Sequence, residues 1–271
     1  MNVCIRTFAA VSLVVGLAAC APEKAREPGP TPGPNALPRA NPPAPPPVPP
    51  AIPDPPAPPA ATPLALQEVF PGVRLSLGVV LVEGTIAADT SAFANKVAYL
   101  EVIACRPDSR EHESLVVTPA LPSHLHAALL LAGASSGKPG SWRVDGNDLV
   151  AEPPSGDRVL VSLRWKSLNG EHVEHSVADL VRNTRGVSLG STPDGFVFAG
   201  SGFLKQLGGE RYAADLSGTL VGLCTFGDEP VAWSRVISPE AEIQEPQWTA
   251  DGSKLPPPGT PVTIVLRLAP K

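Results

Sequence analysis

The sequence predicts an α+β domain over residues 65–271: a mainly antiparallel β-sheet with one buried helix at about 123–132, preceded by a disordered proline-rich linker. Three observations predict it. In VLVSLRW, residues 159–165, Val159, Val161, Leu163 and Trp165 alternate with Leu160, Ser162 and Arg164, the period of a half-buried strand. PVTIVLRL near the C-terminus repeats the pattern with Val262, Ile264, Leu266 and Leu268. Between them in kind, though earlier in the chain, SHLHAALLLAG is a run of good helix formers, with Ser123 as N-cap after Pro122 and Gly133 as the stop.

Taken from the N-terminus, MNVCIRTFAAVSLVVGLAAC has one basic residue, Arg6, then an apolar run too short to span a bilayer, then small residues. That is the layout of an export signal, not of a folded element. Its end, Leu17-Ala18-Ala19-Cys20, resembles the bacterial lipobox, which implies a lipid-modified Cys20 at the head of the mature chain. Ala21 in the following position favours outer-membrane sorting, and the expected place is a periplasm-facing, lipid-anchored one. Residues 21–64 hold more than half of the 35 prolines. Proline removes the amide donor and fixes φ, so this stretch reads as an extended tether reaching on the order of 100 Å.

Further strands are expected in VRLSLGVVLVEGTIAA, KVAYLEVIAC, SLVVTP, FVFAGSGF, RYAADL and GTLVGLCTF, with a short helix or turn at 176–183. Asn169-Gly170 and Ser217-Gly218 read as hairpin turns. A strict two-residue turn at Asn169-Gly170 would put Trp165 opposite Glu174 and mix the core and solvent faces, so a longer loop or a bulge is expected there. The apolar residues of the 123–132 helix run nearly all round it, which is why it is read as buried.

The net charge of −5, with both signs interspersed, argues against a nucleic-acid surface. The expected partners are the membrane, through Cys20, and a periplasmic protein or small ligand. With Cys4 in the signal and Cys20 lipidated, only Cys105 and Cys224 remain, and an oxidising compartment leaves a disulfide between them open.

Chemistry-bearing residues concentrate at 105–126. Cys105, His112, Glu113 and His126 lie where a strand end, a loop and a helix start can converge, and such a donor set suits zinc or copper. The spacing matches no compact zinc pattern, and an ion pair of Glu111 or Glu113 with Arg106 or Arg110 is the competing reading; no cofactor is predicted. His124 and His126 are two apart, so on a helix they point to different sides and cannot share an ion. His172 and His175 read as surface residues. Gly133-Ala134-Ser135-Ser136-Gly137 fits G-x-S-x-G but follows a helix, where a nucleophile elbow needs a strand. With Lys138 the same stretch is one residue short of a phosphate loop. Asp145-Gly146-Asn147-Asp148 lacks calcium-ligand spacing and reads as a tight turn. No catalytic motif remains, so the function expected is that of a non-enzymatic binding or interaction module whose surface is 105–126; the alternative is a metal or redox module.

The stretch LEVIACRPDSREHESLVVTPALPSHLHAALLLAGASSGKP, with PPSGDRVLVSLRW, FVFAGSGF, YAADLSGTLVGLCTFGD and PPPGTPVTIVLR, resembles the YdjY family of bacterial exported proteins. Glu111-His112-Glu113-Ser114 and His124-Leu125-His126-Ala127 carry most of the likeness. The resemblance implies an exported domain, often lipid-anchored, without a stated activity. Some members carry a ferredoxin-like label, but the two remaining cysteines cannot hold an iron–sulfur cluster.

Overall fold

A computed structural model describes residues 66–87, 99–146 and 148–270. The expected signal, the lipid-bearing Cys20 and the linker 21–64 lie outside the described residues. In chain order the first third holds β1 (Gln67–Phe70), β2 (Val73–Ser76), β3 (Val79–Ile86), β4 (Val102–Cys105), β5 (Ser114–Val117) and α1 (Pro122–Leu131). There follow β6 (Ser141–Asp145), β7 (Asp148–Glu152), β8 (Arg158–Lys166), β9 (His172–Ser176), α2 (Val177–Leu180), β10 (Val181–Asn183) and β11 (Phe196–Phe198). The last third holds β12 (Phe203–Gln206), β13 (Gly209–Tyr212), α3 (Ala213–Ser217), β14 (Thr219–Gly222), β15 (Val231–Trp233), β16 (Trp248–Ala250) and β17 (Pro261–Leu268).

The expected α+β sheet is corrected: the fold is mostly β, and its sheet closes. Strands run β3-β17-β8-β11-β15-β14-β4-β5, and β5 returns to β3 through Thr85 opposite Val117 and Ile86 opposite Val116, giving a barrel of eight strands. At that seam Gly84 lets β5 approach, since a side chain there would meet Val117 O at 2.9 Å. Neighbours are antiparallel except β4–β5 and β14–β15, which are parallel. The interior is filled by the alternating apolar faces: Val159, Val161, Leu163 and Trp165 of β8 beside Ile264 and Leu266 of β17, with Phe196 and Phe198 of the neighbouring β11 and Leu220 of β14.

Helix α1 is short and only half immersed, with Leu125, Ala128 and Leu129 buried and Leu130 and Leu131 exposed, so "one buried helix" does not describe it. Ser123 is not its cap. Leu121 holds the cap position, Pro122 is the first helical residue, and the Ser123 amide donates to Asp215 Oδ1 of α3 at 2.8 Å. A carboxylate brought in from another element thus satisfies the orphan amide and complements the helix dipole. The stop at Gly133 holds: at φ +95, its amide and that of Ala134 turn back to Leu130 O and Leu129 O.

The hairpin β8–β9 has the longer loop expected, with Lys166 opposite His172, so Trp165 faces Val173 and the apolar sides coincide. Strands β6 and β7 pair with Asp145 opposite Asp148. Ser217-Gly218 is not a hairpin turn: Gly218, in the left-handed region, ends α3. RYAADL correspondingly turns from strand to helix at Ala213.

The parallel pairs set up the next level of structure. Parallel neighbours need a return connection, and here only residues 106–113 link β4 to β5 and only 223–230 link β14 to β15. Arg110 of the first link lies over the Phe226 ring of the second at 3.8 Å and donates to Thr219 Oγ1 at 3.1 Å. Every residue of β4, β11, β14 and β15 is buried.

Candidate functional site

The parallel register decides where the sequence-singled residues go. Val102 faces Ser114, so Glu101 and Glu113 sit side by side just before the two strands, and the Glu101 amide donates to Glu113 O at 3.0 Å. The carboxyls are hydrogen-bonded to each other. Burial first, then the hydrogen bond to Glu113 and its charge, push Glu101 up to about 8, while the Arg110 charge opposes the shift and Glu240 adds to it. Glu101 is therefore held protonated at neutral pH against its neighbour Glu113. On the outer side, His112 Nε2 lies 3.0 Å from Glu113 Oε1 and is largely in solvent.

Cys224 also lies at this end, its amide donating to Glu101 O at 2.8 Å. Burial, reinforced by the charges of Glu101, Glu113 and Glu229, raises its thiol pKa, which disfavours the nucleophilic thiolate. Cys105 is at the other end of β4, opposite Thr219. Roughly 13 Å of strand separates it from Glu101, beyond the ~7 Å that a disulfide tolerates between Cα atoms. Both cysteines are buried and free, so the pairing that the sequence left open does not form.

The two helix histidines diverge as their spacing requires. His124 stacks on Phe70, ring centroids 4.5 Å apart, and its Nδ1 is buried without a partner. His126 packs edge-on to Phe198 and Tyr212, and its Nδ1 is 2.9 Å from the Tyr212 hydroxyl, which donates to Gly200 O at 3.0 Å. The hydroxyl hydrogen being engaged, Nδ1–H is the donor to the tyrosine oxygen. Burial lowers the His126 pKa. The metal set of Cys105, His112, Glu113 and His126 is thus not assembled: β4 and the 106–113 link hold Cys105 and His112 apart, and His126 is turned to Tyr212. Among the described residues no three histidine, cysteine or acidic side chains are arranged to hold an ion.

Two acids that sequence reasoning passed over lie in the second return link. Glu229 is fully buried; its Oε1 accepts the amides of Phe226 and of Gly227, the latter at 3.2 Å, while Oε2 has no partner. Burial pushes it up to about 7. Asp228 is raised for the same reason. The signal available was Asp-Glu wedged between the apolar runs TLVGLC and PVAW, but TFGDEP reads equally as a solvated turn.

A wide cleft lies elsewhere, on the outer face of β2, β3, β17, β8 and β9. Its volume is about 930 Å³, with Arg74, Glu83, Arg164, Lys166 and His172 around Leu81 and Pro261. Register explains the arrangement, because Glu83, Thr263, Arg164 and Glu174 form one row across four strands. Arg74 pairs with Glu83 at 3.0 Å. Arg267 Nη2 and Arg164 Nη2 reach Glu174 Oε2 at 3.0 and 2.8 Å. The Arg267 hydrogen bond foremost, with Arg164, holds Glu174 down to about 2. His172 is exposed at the cleft rim, and His175 stacks on Trp165 at 5.1 Å.

No curated protein and no solved structure matches the chain. The model of the YdjY domain matches residues 78–267, from the first residues of β3 to the penultimate residue of β17, and so spans the whole barrel. The chain belongs to the YdjY domain family.

Proposed function

We propose that this is the binding module of an exported protein, lipid-anchored at Cys20 to the outer membrane and facing the periplasm, and that its ligand or protein partner is taken up in the outer cleft. The observation that carries the reading is the cleft itself. Its volume of about 930 Å³ falls in the range of ligand sites, and cationic and apolar groups alternate on its walls. Glu101, Arg110, Glu113 and His126 are instead engaged with other side chains, so the binding surface moves from 105–126 to the cleft. The signal-like residues 1–20 and the lipobox resemblance support the anchor, and the proline-rich stretch supports a tether. Zinc or copper has no part in this reading.

Cys20→Ser is expected to abolish incorporation of labelled fatty acid and to release the chain from the membrane fraction; retained label would overturn the anchor. The cleft is tested by titrating mixtures of peptides, glycans and small anions into the isotope-labelled chain. Shift changes centred on Thr263, Arg164 and Lys166 are expected. Changes confined to 105–126, or turnover of any added compound, would overturn the reading.

A further inference from the structure

The cleft does not end at β9. Trp165, Lys166 and Thr260 also line a second depression, of about 540 Å³, whose far wall carries Lys254, Leu255, Pro256 and Pro257. The two meet at these shared residues and are together called the groove. It presents Arg74, Arg164, Lys166 and Lys254 against the single carboxylate of Glu83, on a chain whose net charge is −5.

Two of the acids answering these cations are set back from the groove surface. Glu174 is shared between Arg164 and Arg267, and Asp251, its side chain 9% exposed, lies 3.5 Å from Lys254. Lys166 has no ion-pair partner among the described residues and is exposed. Between the cations stand apolar surfaces: Leu66, Pro261, the Pro256-Pro257 pair and the fully exposed Leu168. The rim at His172 belongs to β9, which pairs with β8 and, among the described residues, has no strand on its far edge. Free main-chain donors and acceptors along such an edge can be matched by an extended polypeptide through strand addition.

Resting on the cleft reading above, we propose that the groove binds an extended acidic peptide in which carboxylates alternate with apolar side chains. The carboxylates meet Arg74, Lys166 and Lys254, and the apolar side chains meet the proline and leucine surfaces between them. Charge complementarity of this kind sets partner choice and makes binding salt-sensitive.

The test titrates the whole chain into a fluorescein-labelled decapeptide of alternating Glu and Val, with the Lys-Val counterpart and polygalacturonate alongside. The Glu-Val peptide is expected to bind, the Lys-Val peptide not. Lys166→Glu is expected to weaken binding at least about tenfold and Lys166→Gln in the same direction, whereas Lys205→Glu, the same charge change on β12, alters it less than about twofold. Equal effects of the changes at 166 and 205 would overturn the proposal, as would polygalacturonate displacing the peptide at matched charge. If the Lys-Val peptide binds instead and Lys166→Glu changes its affinity, the acidic class fails and the cleft stands. If no probe responds to position 166, both fail.

Discussion

Gly156→Ala is expected to cost more than about 4 kcal/mol, a large part of the stability of an ordinary domain. Gly156 has φ +133, where a side chain is strained, and a methyl there would sit 2.0 Å from Phe198 O and 2.9 Å from Gly137 N. Both are backbone atoms, so neither can swing aside. They are also committed: Phe198 O accepts the Gly137 amide at 2.9 Å, and the Phe198 amide donates to Asp157 O at 2.8 Å. The segment after α1, the entry to β8 and the strand β11 therefore interlock at this point, and separating them opens the barrel wall beside Phe198. Gly170→Ala is the comparison, because Gly170 has φ +82 but nothing within 4 Å of an added methyl. It should cost about 1 kcal/mol, the conformational penalty alone. Urea unfolding of both variants decides the matter, and similar midpoints would refute the steric argument.

The second large effect is on pH dependence. With Glu229 raised to about 7 by burial, its carboxyl is protonated in both folded and unfolded chains below about pH 4.5 and costs nothing. Between about 4.5 and 7 the unfolded chain ionises first, so this group removes stability as pH rises, by about 3 kcal/mol once pH exceeds 7. Glu101, raised to about 8, acts in the same direction. Other groups, His126 and Glu174 among them, act oppositely. His126, kept neutral by burial, destabilises the fold as pH falls below 6.5, and Glu174, held at about 2, loses its stabilisation as pH falls from 4.5 towards 2. All of these but Glu229 are common to the natural chain and to Glu229→Gln, so their difference isolates Glu229. The amide oxygen of glutamine can still accept the Phe226 and Gly227 donors. Glu229→Gln is expected to be clearly the more stable at pH 8 and to lose that advantage by pH 4.5. Unfolding curves for the two chains that stay parallel across this range would show that Glu229 is not a titrating buried acid.

How much of this was legible in the sequence depends on the range of the interaction. His124 and His126 could be separated on paper because a helix turns by a known angle per residue, and they do part, one to Phe70 and the other to Tyr212. The loop after β8 could be judged because a wrong register would have put Trp165 against a glutamate, whereas it meets Val173. Ser123 was misjudged as a cap because its replacement, Asp215, lies 92 residues away. The acidic pair was invisible for a similar reason, since Glu101 and Glu113 become neighbours only when β4 and β5 run parallel. Unbroken apolar stretches such as VIAC and TLVG did carry a signal, because a strand buried on both faces loses its alternation. They are two-sided because the wall they form is packed on its outer side as well as its inner.

By itself the sequence determined that strands predominate, the place and end of α1, the faces of β8 and β17 that point inward, and the expectation of an exported, tethered domain in the YdjY family. These follow from periodicities of 2 and 3.6, from glycine and proline stereochemistry, and from motif likeness, all of which act over a few residues. Only the tertiary structure decided that the sheet closes at Gly84 and Val117, that Cys105 and Cys224 lie at different ends of β4, that Glu101 is half-buried and Glu229 fully buried, and that Arg74, Arg164, Lys166 and Lys254 line the outer depressions. Alternation says which face of a strand is apolar but not which strand lies beside it. Charge location and concavity depend on that second choice, made by long-range packing.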